Sequence, residues 1–311
     1  MITEKIVLGE NTQYPLNGLL TLPSNAANPV PAVVFVHGSG SSNMDEKVGK
    51  LTPFKDLTIG LVNHGIASIR YDKRSFAHGR KMVRNKNTVI TVKEETIDDA
   101  ILAAELLRKD PRIDPNRIFI LGHSMGAMLA PRIDAEGGNF KGLILMAGSP
   151  RKLEDIMIEQ LEEHVQSGKG FMRWIAKKQL SKIVPMFNGL YQRSNDETKK
   201  VKIGNGVTLY YFKEMGEHDS SDYLASLEKP ILIMQGKNDA QVKVEKDFSA
   251  YQMLLKNKTN VTFRLYENLN HAFVPSVYRD ISKIMKEYNI EQHIGEEVIS
   301  DIANWIMNIS N

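Results

Sequence analysis

The 311-residue chain predicts an α/β fold, a mostly parallel central sheet with helices packed on both faces. Three observations carry this. Ala32-Val33-Val34-Phe35-Val36 is continuously apolar, rich in β-branched residues, and stops at His37-Gly38-Ser39-Gly40. A short run that is apolar on both faces suits a strand buried between two layers. Runs of the same kind recur at Arg117-Ile118-Phe119-Ile120-Leu121, Gly142-Leu143-Ile144-Leu145-Met146 and Pro230-Ile231-Leu232-Ile233-Met234. Segments with helical spacing stand between them, and strand–helix alternation is the pattern of a parallel sheet.

Each element follows from local chemistry. Apolar runs at 6–8 and 19–22, broken by Gly9, Gly18 and Pro23, predict a leading hairpin. Residues 57–63 read as a helix and 66–71 as a strand. Thr96, with Asp99 three residues on, suits a capped helix start. Ile97, Ile101, Ala104 and Leu107 then repeat at helical spacing, and Asp110-Pro111 and Asp114-Pro115 supply the turn chemistry that closes the helix. Val261, Phe263 and Leu265 alternate with Thr262, Arg264 and Tyr266 in a late strand, and Ile294, Val298, Ile302 and Trp305 share one side of a final helix. Residues 151–228 break the rhythm with helical stretches, a polar loop at 193–202 and the aromatic run Tyr210-Tyr211-Phe212. They are expected to form an inserted cap over the active edge of the sheet, with 1–150 and 229–311 as the core.

Composition narrows the function. Hydrophobic residues make up 42% and charged residues 25%, as in a globular protein with a sizeable core. The net charge is +3 with the basic residues dispersed, which argues against nucleic-acid binding. The absence of cysteine excludes disulfides, thiolate metal sites and a cysteine nucleophile. The N-terminus lacks a basic region followed by a long apolar run, and no stretch reaches the roughly 18 apolar residues of a membrane helix. A cytoplasmic protein with neither nucleic-acid nor membrane partners is the expectation.

The chemistry is concentrated in four places. Gly122-His123-Ser124-Met125-Gly126 is a G-x-S-x-G pattern directly after a predicted strand. There a sharp strand-to-helix turn presents the serine hydroxyl at the sheet's C-terminal edge, and the glycines remove side chains that would collide across it. Asp239 follows the strand at 231–234 and is the expected acid; His271 follows the late strand and is the expected base, in the chain order serine, acid, histidine. The N–H groups of Met125 and of Ser39, in the glycine-rich loop after the first core strand, are expected to form an oxyanion hole. His37 is expected to brace that loop.

On these residues, together with His271-Ala272-Phe273, the chain resembles the α/β-hydrolase superfamily over nearly its whole length. The segment from His37 to Asp45-Glu46, with Pro53-Phe54-Lys55 and Arg70-Tyr71-Asp72-Lys73-Arg74, looks like bacterial esterases of the dienelactone-hydrolase-like and serine-aminopeptidase-like branches. It departs from true dienelactone hydrolases in having Ser124 where they carry cysteine. The resemblance implies hydrolysis of short acyl or aryl esters, cinnamoyl and feruloyl esters among them. The Arg70-Tyr71-Asp72 stretch also recurs in such enzymes; a structural pairing of Asp72 with Arg70 or Arg74 is expected. Asp45 and Glu46 are assigned either to the substrate entrance or to a solvated loop.

The expected reaction is two-step acyl transfer: His271 activates Ser124, an acyl-enzyme forms, and water releases the acid. It needs no metal or organic cofactor, and its expected partner is a small-molecule ester; a homodimer is left open. Trp174, Met186, Phe187, Tyr210 and Tyr211, with Met157 and other apolar cap residues, are assigned either to a substrate pocket or to the cap's own core. Three rival readings stand: a peptidase that grips an amine through Glu159 or Glu163, an acyltransferase on the same scaffold, and a non-catalytic binding protein.

Overall fold

The computed structural model describes residues 1–24, 27–85, 89–204 and 206–309. The strands are β1 (Ile2–Leu8), β2 (Leu16–Leu22), β3 (Val30–Val36), β4 (Ala67–Tyr71), β5 (Ile113–His123), β6 (Leu143–Met146), β7 (Lys202–Gly204), β8 (Val207–Thr208), β9 (Ile231–Gly236) and β10 (Val261–Tyr266). Eight of them form one sheet in the order β1-β2-β4-β3-β5-β6-β9-β10. From β4 to β10 the pairing is parallel, and the β1–β2 hairpin joins the edge through antiparallel pairing with β4.

The helices are α1 (Pro53–Asn63), α2 (Arg74–Arg84), α3 (Asp98–Lys109), α4 (Met125–Ile133), α5 (Leu153–Ser167), α6 (Gly170–Phe187), α7 (Asn195–Lys200), α8 (Leu209–Glu217), α9 (Ser220–Ser226), α10 (Ser249–Leu254), α11 (Ile284–Tyr288) and α12 (Glu296–Asn308). The sheet divides the core into two clusters. Along β3, Val33 and Phe35 enter one and Ala32, Val34 and Val36 the other; along β5, Phe119 and Leu121 oppose Ile118 and Ile120. This is the period of two of a strand covered on both sides. Phe54 and Leu61 of α1 and Ile302 and Ile306 of α12 cover one face. Ala103 and Leu107 of α3 and Leu129 and Ile133 of α4 cover the other. Each such large apolar side chain fully buried stabilises the fold by about 1.5–3 kcal/mol. Helices α1 and α12 pack tightly because Gly60 carries no side chain: a Cβ there would stand 2.5 Å from Ile299.

Two expectations are corrected. Thr96 is not a helix cap; it lies inside a π-helical turn, Lys93–Ile97, that runs into α3. The start signal sits upstream, where the Thr91 N–H and hydroxyl both donate to the Glu94 carboxylate at 2.8 and 2.5 Å, and the Thr91 hydroxyl oxygen accepts the Lys93 N–H at 3.2 Å. In β10 the alternation does not set burial: Leu265 faces solvent, whereas Tyr266 is buried and its hydroxyl donates to Asp301 at 2.7 Å. The strand lies at the sheet's edge, where helical cover is incomplete. Between the neighbouring strands β6 and β9 the chain inserts α5 to α9 and the small β7–β8 pair. Among the described residues no helix is long and apolar enough to cross a membrane.

Candidate active site

Strand β5 ends at His123, and α4 begins at Met125, so the chain turns at Ser124. Its backbone, at φ 54° and ψ −119°, occupies a region that L-residues rarely adopt. Tight packing holds it there. A Cβ at Gly122 would lie 2.2 Å from the Gly126 carbonyl oxygen, and one at Gly126 would lie 2.2 Å from that of Val36. The Ser124 N–H donates to the Met146 carbonyl at 2.8 Å, tying the turn to β6.

Asp239 stands just beyond β9, its side chain fully buried. One carboxylate oxygen accepts the N–H groups of Gln241 and Val242 at 2.7 and 3.0 Å; the other accepts Gln235 Nε2 at 2.9 Å and His271 Nδ1 at 2.7 Å. The carboxylate therefore selects the Nδ1–H tautomer of His271 and leaves Nε2 as a base. The loop that carries His271 is folded around Asn270, whose side-chain oxygen accepts the N–H groups of Ala272 and Val274 at 3.0 and 3.3 Å. The Asn270 amide donates to buried Glu287 at 2.6 Å.

His271 is held beside the serine turn by its neighbour. His123 Nε2 donates to the His271 carbonyl at 2.9 Å, and the two rings lie 4.8 Å apart. Among the described residues Ser124 Oγ makes no hydrogen bond, to His271 or to any other group. Such bonds are often long before substrate arrives.

The loop after β3 is braced from three sides. The Gly38 N–H donates to Glu46 at 2.8 Å, the Gly38 carbonyl accepts buried Lys73 Nζ at 2.8 Å, and His37 Nε2 bonds the Asn43 carbonyl at 3.0 Å. Burial pushes His37 down to about 4, so the ring is neutral at ordinary pH and Nε2 is the donor. His123 Nδ1 lies 2.9 Å from Glu46. Burial pulls His123 down, but the Glu46 carboxylate and the His271 carbonyl outweigh it and raise the imidazole above its usual value. The same pairing holds Glu46 below the usual carboxylate range in spite of its burial.

Ser39, Ser124 and Met125 all border a cavity of about 710 Å³. The N–H groups of Ser39 and Met125 make no hydrogen bond among the described residues. The inserted segment supplies one wall through Leu153, Ile156, Met157, Tyr211 and Phe212.

Residues 27–275 match the family described as Serine aminopeptidase, S33. The chain is 33% identical over 301 residues to Esterase EstD of Thermotoga maritima, covering 96% of this chain and 68% of that one. This chain belongs to the S33 serine aminopeptidase family. It is a hydrolase with the α/β-hydrolase fold. Among solved structures, an esterase of Pyrococcus furiosus aligns at a TM-score of 0.58 with 17% identity, over 98% of this chain and 90% of that one. Est1E from Butyrivibrio proteoclasticus aligns at 0.53 with 15% identity, over 96% and 99%. At such identities the likeness is one of fold.

The structure separates the assignments left open for other side chains of this S33 hydrolase. Of Trp174, Met186, Phe187, Tyr210 and Tyr211, only Tyr211 borders the cavity. Trp174 is 56% exposed on α6, where its ring stacks on Phe171. Phe187 packs against Phe212 inside the insertion. Met186 is half-buried away from the cavity, and Tyr210 is half-buried beneath the Lys199 ammonium. A residue type says that a side chain seeks apolar surroundings, not which surroundings it finds. Asp72 pairs with neither arginine; it accepts the Met44 N–H at 2.9 Å, while Arg70 pairs with Asp45 and Arg74 with Asp99. Glu46 is buried under the glycine-rich loop, neither an entrance nor a solvated residue. Reading by motif missed Lys73, His123 and Asn270 as site-forming residues. The only signal in the sequence was adjacency: His123 precedes Ser124, Asn270 precedes His271, and Lys73 lies in the Arg70–Arg74 stretch.

Proposed function

We propose that this chain is a carboxylesterase that forms an acyl-enzyme on Ser124, with His271 as general base and acid and Asp239 as its orienting carboxylate. The observation that carries this reading is the bond between His271 Nδ1 and Asp239 beside a strained serine at the edge of a largely apolar cavity. His271 Nε2 takes the Ser124 proton as Oγ attacks the ester carbonyl. The alcohol leaves with that proton, and water repeats the sequence on the acyl-enzyme.

Lys73 has a part in this reading. A peptide unit is planar and trans, so its C=O and N–H point in opposite directions. The Gly38 carbonyl bonds Lys73 Nζ. The N–H of the same peptide unit, that of Ser39, is thereby turned to the other side and kept from rotating. We assign Ser39 and Met125 as the oxyanion donors and Lys73 as the positioning residue of the first.

The peptidase reading is less well supported by side chains. Glu159 is engaged by Arg151 and Lys246, and Glu163 by Lys243; neither carboxylate borders the cavity. Short acyl or aryl esters are the substrate class this reading favours; the name of the Thermotoga maritima relative says only that it is an esterase. The test is a panel of 4-nitrophenyl esters against aminoacyl anilides, with fluorophosphonate labelling of the intact protein. Labelling at Ser124 and ester rates well above anilide rates are expected. Equal rates on both classes would sink the esterase reading, and absence of label would sink the nucleophile.

A further inference from the structure

From Lys73 to Lys93 the sequence contains no aspartate or glutamate but seven lysines and arginines. Most of those cations are accounted for. Lys73 bonds the Gly38 carbonyl and lies 3.6 Å from Glu95, and Arg74 pairs with Asp99. Lys81 donates to the Gln13 carbonyl at 2.8 Å, and Lys93 bonds Asp98 at 2.6 Å. Lys86 lies outside the described residues. Arg80 and Arg84 remain, and neither has a hydrogen bond or an ion pair among the described residues. These two are also the cations of α2 that border the catalytic cavity.

They are not alone on that face. Ser75, Gly79, Arg80, Val83 and Arg84 all line the cavity, at spacings that put them on one side of α2. Ser75 Oγ is buried and has no hydrogen-bond partner among the described residues. Two guanidinium groups four residues apart repel each other and weaken a helix, and among the described residues no ion pair offsets this. Among the described residues Glu95 is the carboxylate that borders the same cavity, but it is occupied: Tyr211 donates to it at 2.7 Å, and Lys73 Nζ lies 3.6 Å away. The uncompensated charge facing substrate is positive.

We propose that Arg80 and Arg84, with the Ser75 hydroxyl, form an anion subsite, and that the preferred substrates are esters carrying a carboxylate. Guanidinium groups match carboxylate oxygens in geometry as well as charge, and the apolar part of the lining, with Met157 and Phe212, suits the chain between the carboxylate and the scissile bond. The inference rests on Ser124 as the nucleophile.

The acid group can belong to the acyl side or to the alcohol side, and two substrate pairs separate these. Mono(4-nitrophenyl) glutarate is compared with 4-nitrophenyl pentanoate, and 4-acetoxybenzoate with phenyl acetate. In one pair the acidic ester is expected to have kcat/KM about tenfold higher, the scale of one partly desolvated charge-assisted contact. Raising salt should shrink that advantage, and the double substitution Arg80→Gln/Arg84→Gln should bring the ratio near one, chiefly through KM. A ratio near one in both pairs of the unaltered protein overturns the proposal, as does a ratio that the substitutions do not change. Calorimetric binding of mono(4-nitrophenyl) glutarate to Ser124→Ala tests the subsite without turnover. Saturable binding that disappears with the arginine substitutions is expected; no binding overturns the subsite even if Ser124 is confirmed. Should Ser124→Ala keep full esterase activity, the nucleophile fails while the binding result still decides the subsite.

Discussion

The rim of the sheet borders the cavity and so do α5 and α8 of the insertion, but α6 does not, and the rim and α6 are built to different tolerances. Every residue of β3, β6 and β9 is buried, and the loops that follow β3, β5 and β9 carry Ser39, Ser124 and Asp239. In α6, by contrast, only Ala176 and Phe187 of 18 residues are buried, and Phe171 and Trp174 stand 70% and 56% exposed. Bond-making groups must be held within a fraction of an ångström, which packed elements provide; a helix that lines none of the cavity can be looser. Substitutions at the rim should therefore cost chemistry, and substitutions on α6 should cost little of anything.

The largest effect is expected at Ser124 and Asp239. Ser124→Ala should lower kcat on a neutral aryl ester by about 10⁶-fold, and Asp239→Asn by about 10⁴-fold because the amide favours the wrong imidazole tautomer. Circular dichroism melts should show both variants folded. Ester turnover by Ser124→Ala within tenfold of the parent would remove the rim from the mechanism altogether.

Next comes Lys73. Losing a positioned oxyanion donor typically lowers kcat about 100- to 1,000-fold, and misorienting one should approach the lower figure. Lys73→Met alone would leave Glu95 buried without its cation, at about 3–5 kcal/mol. The double variant Lys73→Met/Glu95→Gln separates folding from positioning. A drop in kcat with KM nearly unchanged is expected; a merely structural lysine would lower the melting temperature and leave kcat of the folded fraction intact.

How much of this was legible follows the same division. Strands that are apolar on both faces announce themselves, because no other short element is buried on both sides, so the order of β3, β5, β6 and β9 and the rim residues after them could be placed by position. The Gly122 and Gly126 spacing was readable because a Cβ at either would strike backbone within 2.2 Å. Lys73, Glu46 and His123 were not, since their roles come from partners 35, 8 and 148 residues away, at Gly38 and His271. The insertion was least legible: Trp174 and Tyr211 are both aromatic residues in helices, and only packing puts one in solvent and the other on the cavity.

The braces under the rim also make it sensitive to acid. His37 in the folded chain is pushed down to about 4, against an ordinary value of 6.5, mainly by burial, with Lys73 and His123 beside it adding to the effect and Glu46 opposing it. Between those values the unfolded chain binds a proton that the folded chain refuses. The contribution is therefore present in full above 6.5 and lost as pH falls through 4, on the order of 3 kcal/mol. Urea unfolding at pH 7.5 and 4.5 should show a smaller loss for His37→Gln, a neutral side chain able to donate to the Asn43 carbonyl, than for the parent. Equal losses would mean that the ring under the loop is reached by water.

The smallest effect is the sharpest test of the contrast. Trp174 is a large aromatic residue, and removing one from a core costs about 3–5 kcal/mol. On α6 its contacts are the Phe171 ring at 5.7 Å and the Lys178 ammonium at 5.3 Å, both on the same helix and both facing solvent. Trp174→Ala should change stability by less than about 0.5 kcal/mol, as exposed positions generally do, and leave kcat/KM on neutral esters within about twofold. Met157→Ala, on α5 and bordering the cavity, should raise KM several-fold for the longer acyl chains while sparing acetate, because each methylene buried against it contributes about 0.8 kcal/mol. If the tryptophan variant instead behaved like the methionine one, α6 would have to fold over the cavity during turnover, and the inserted helices would share in the chemistry proposed for the packed rim.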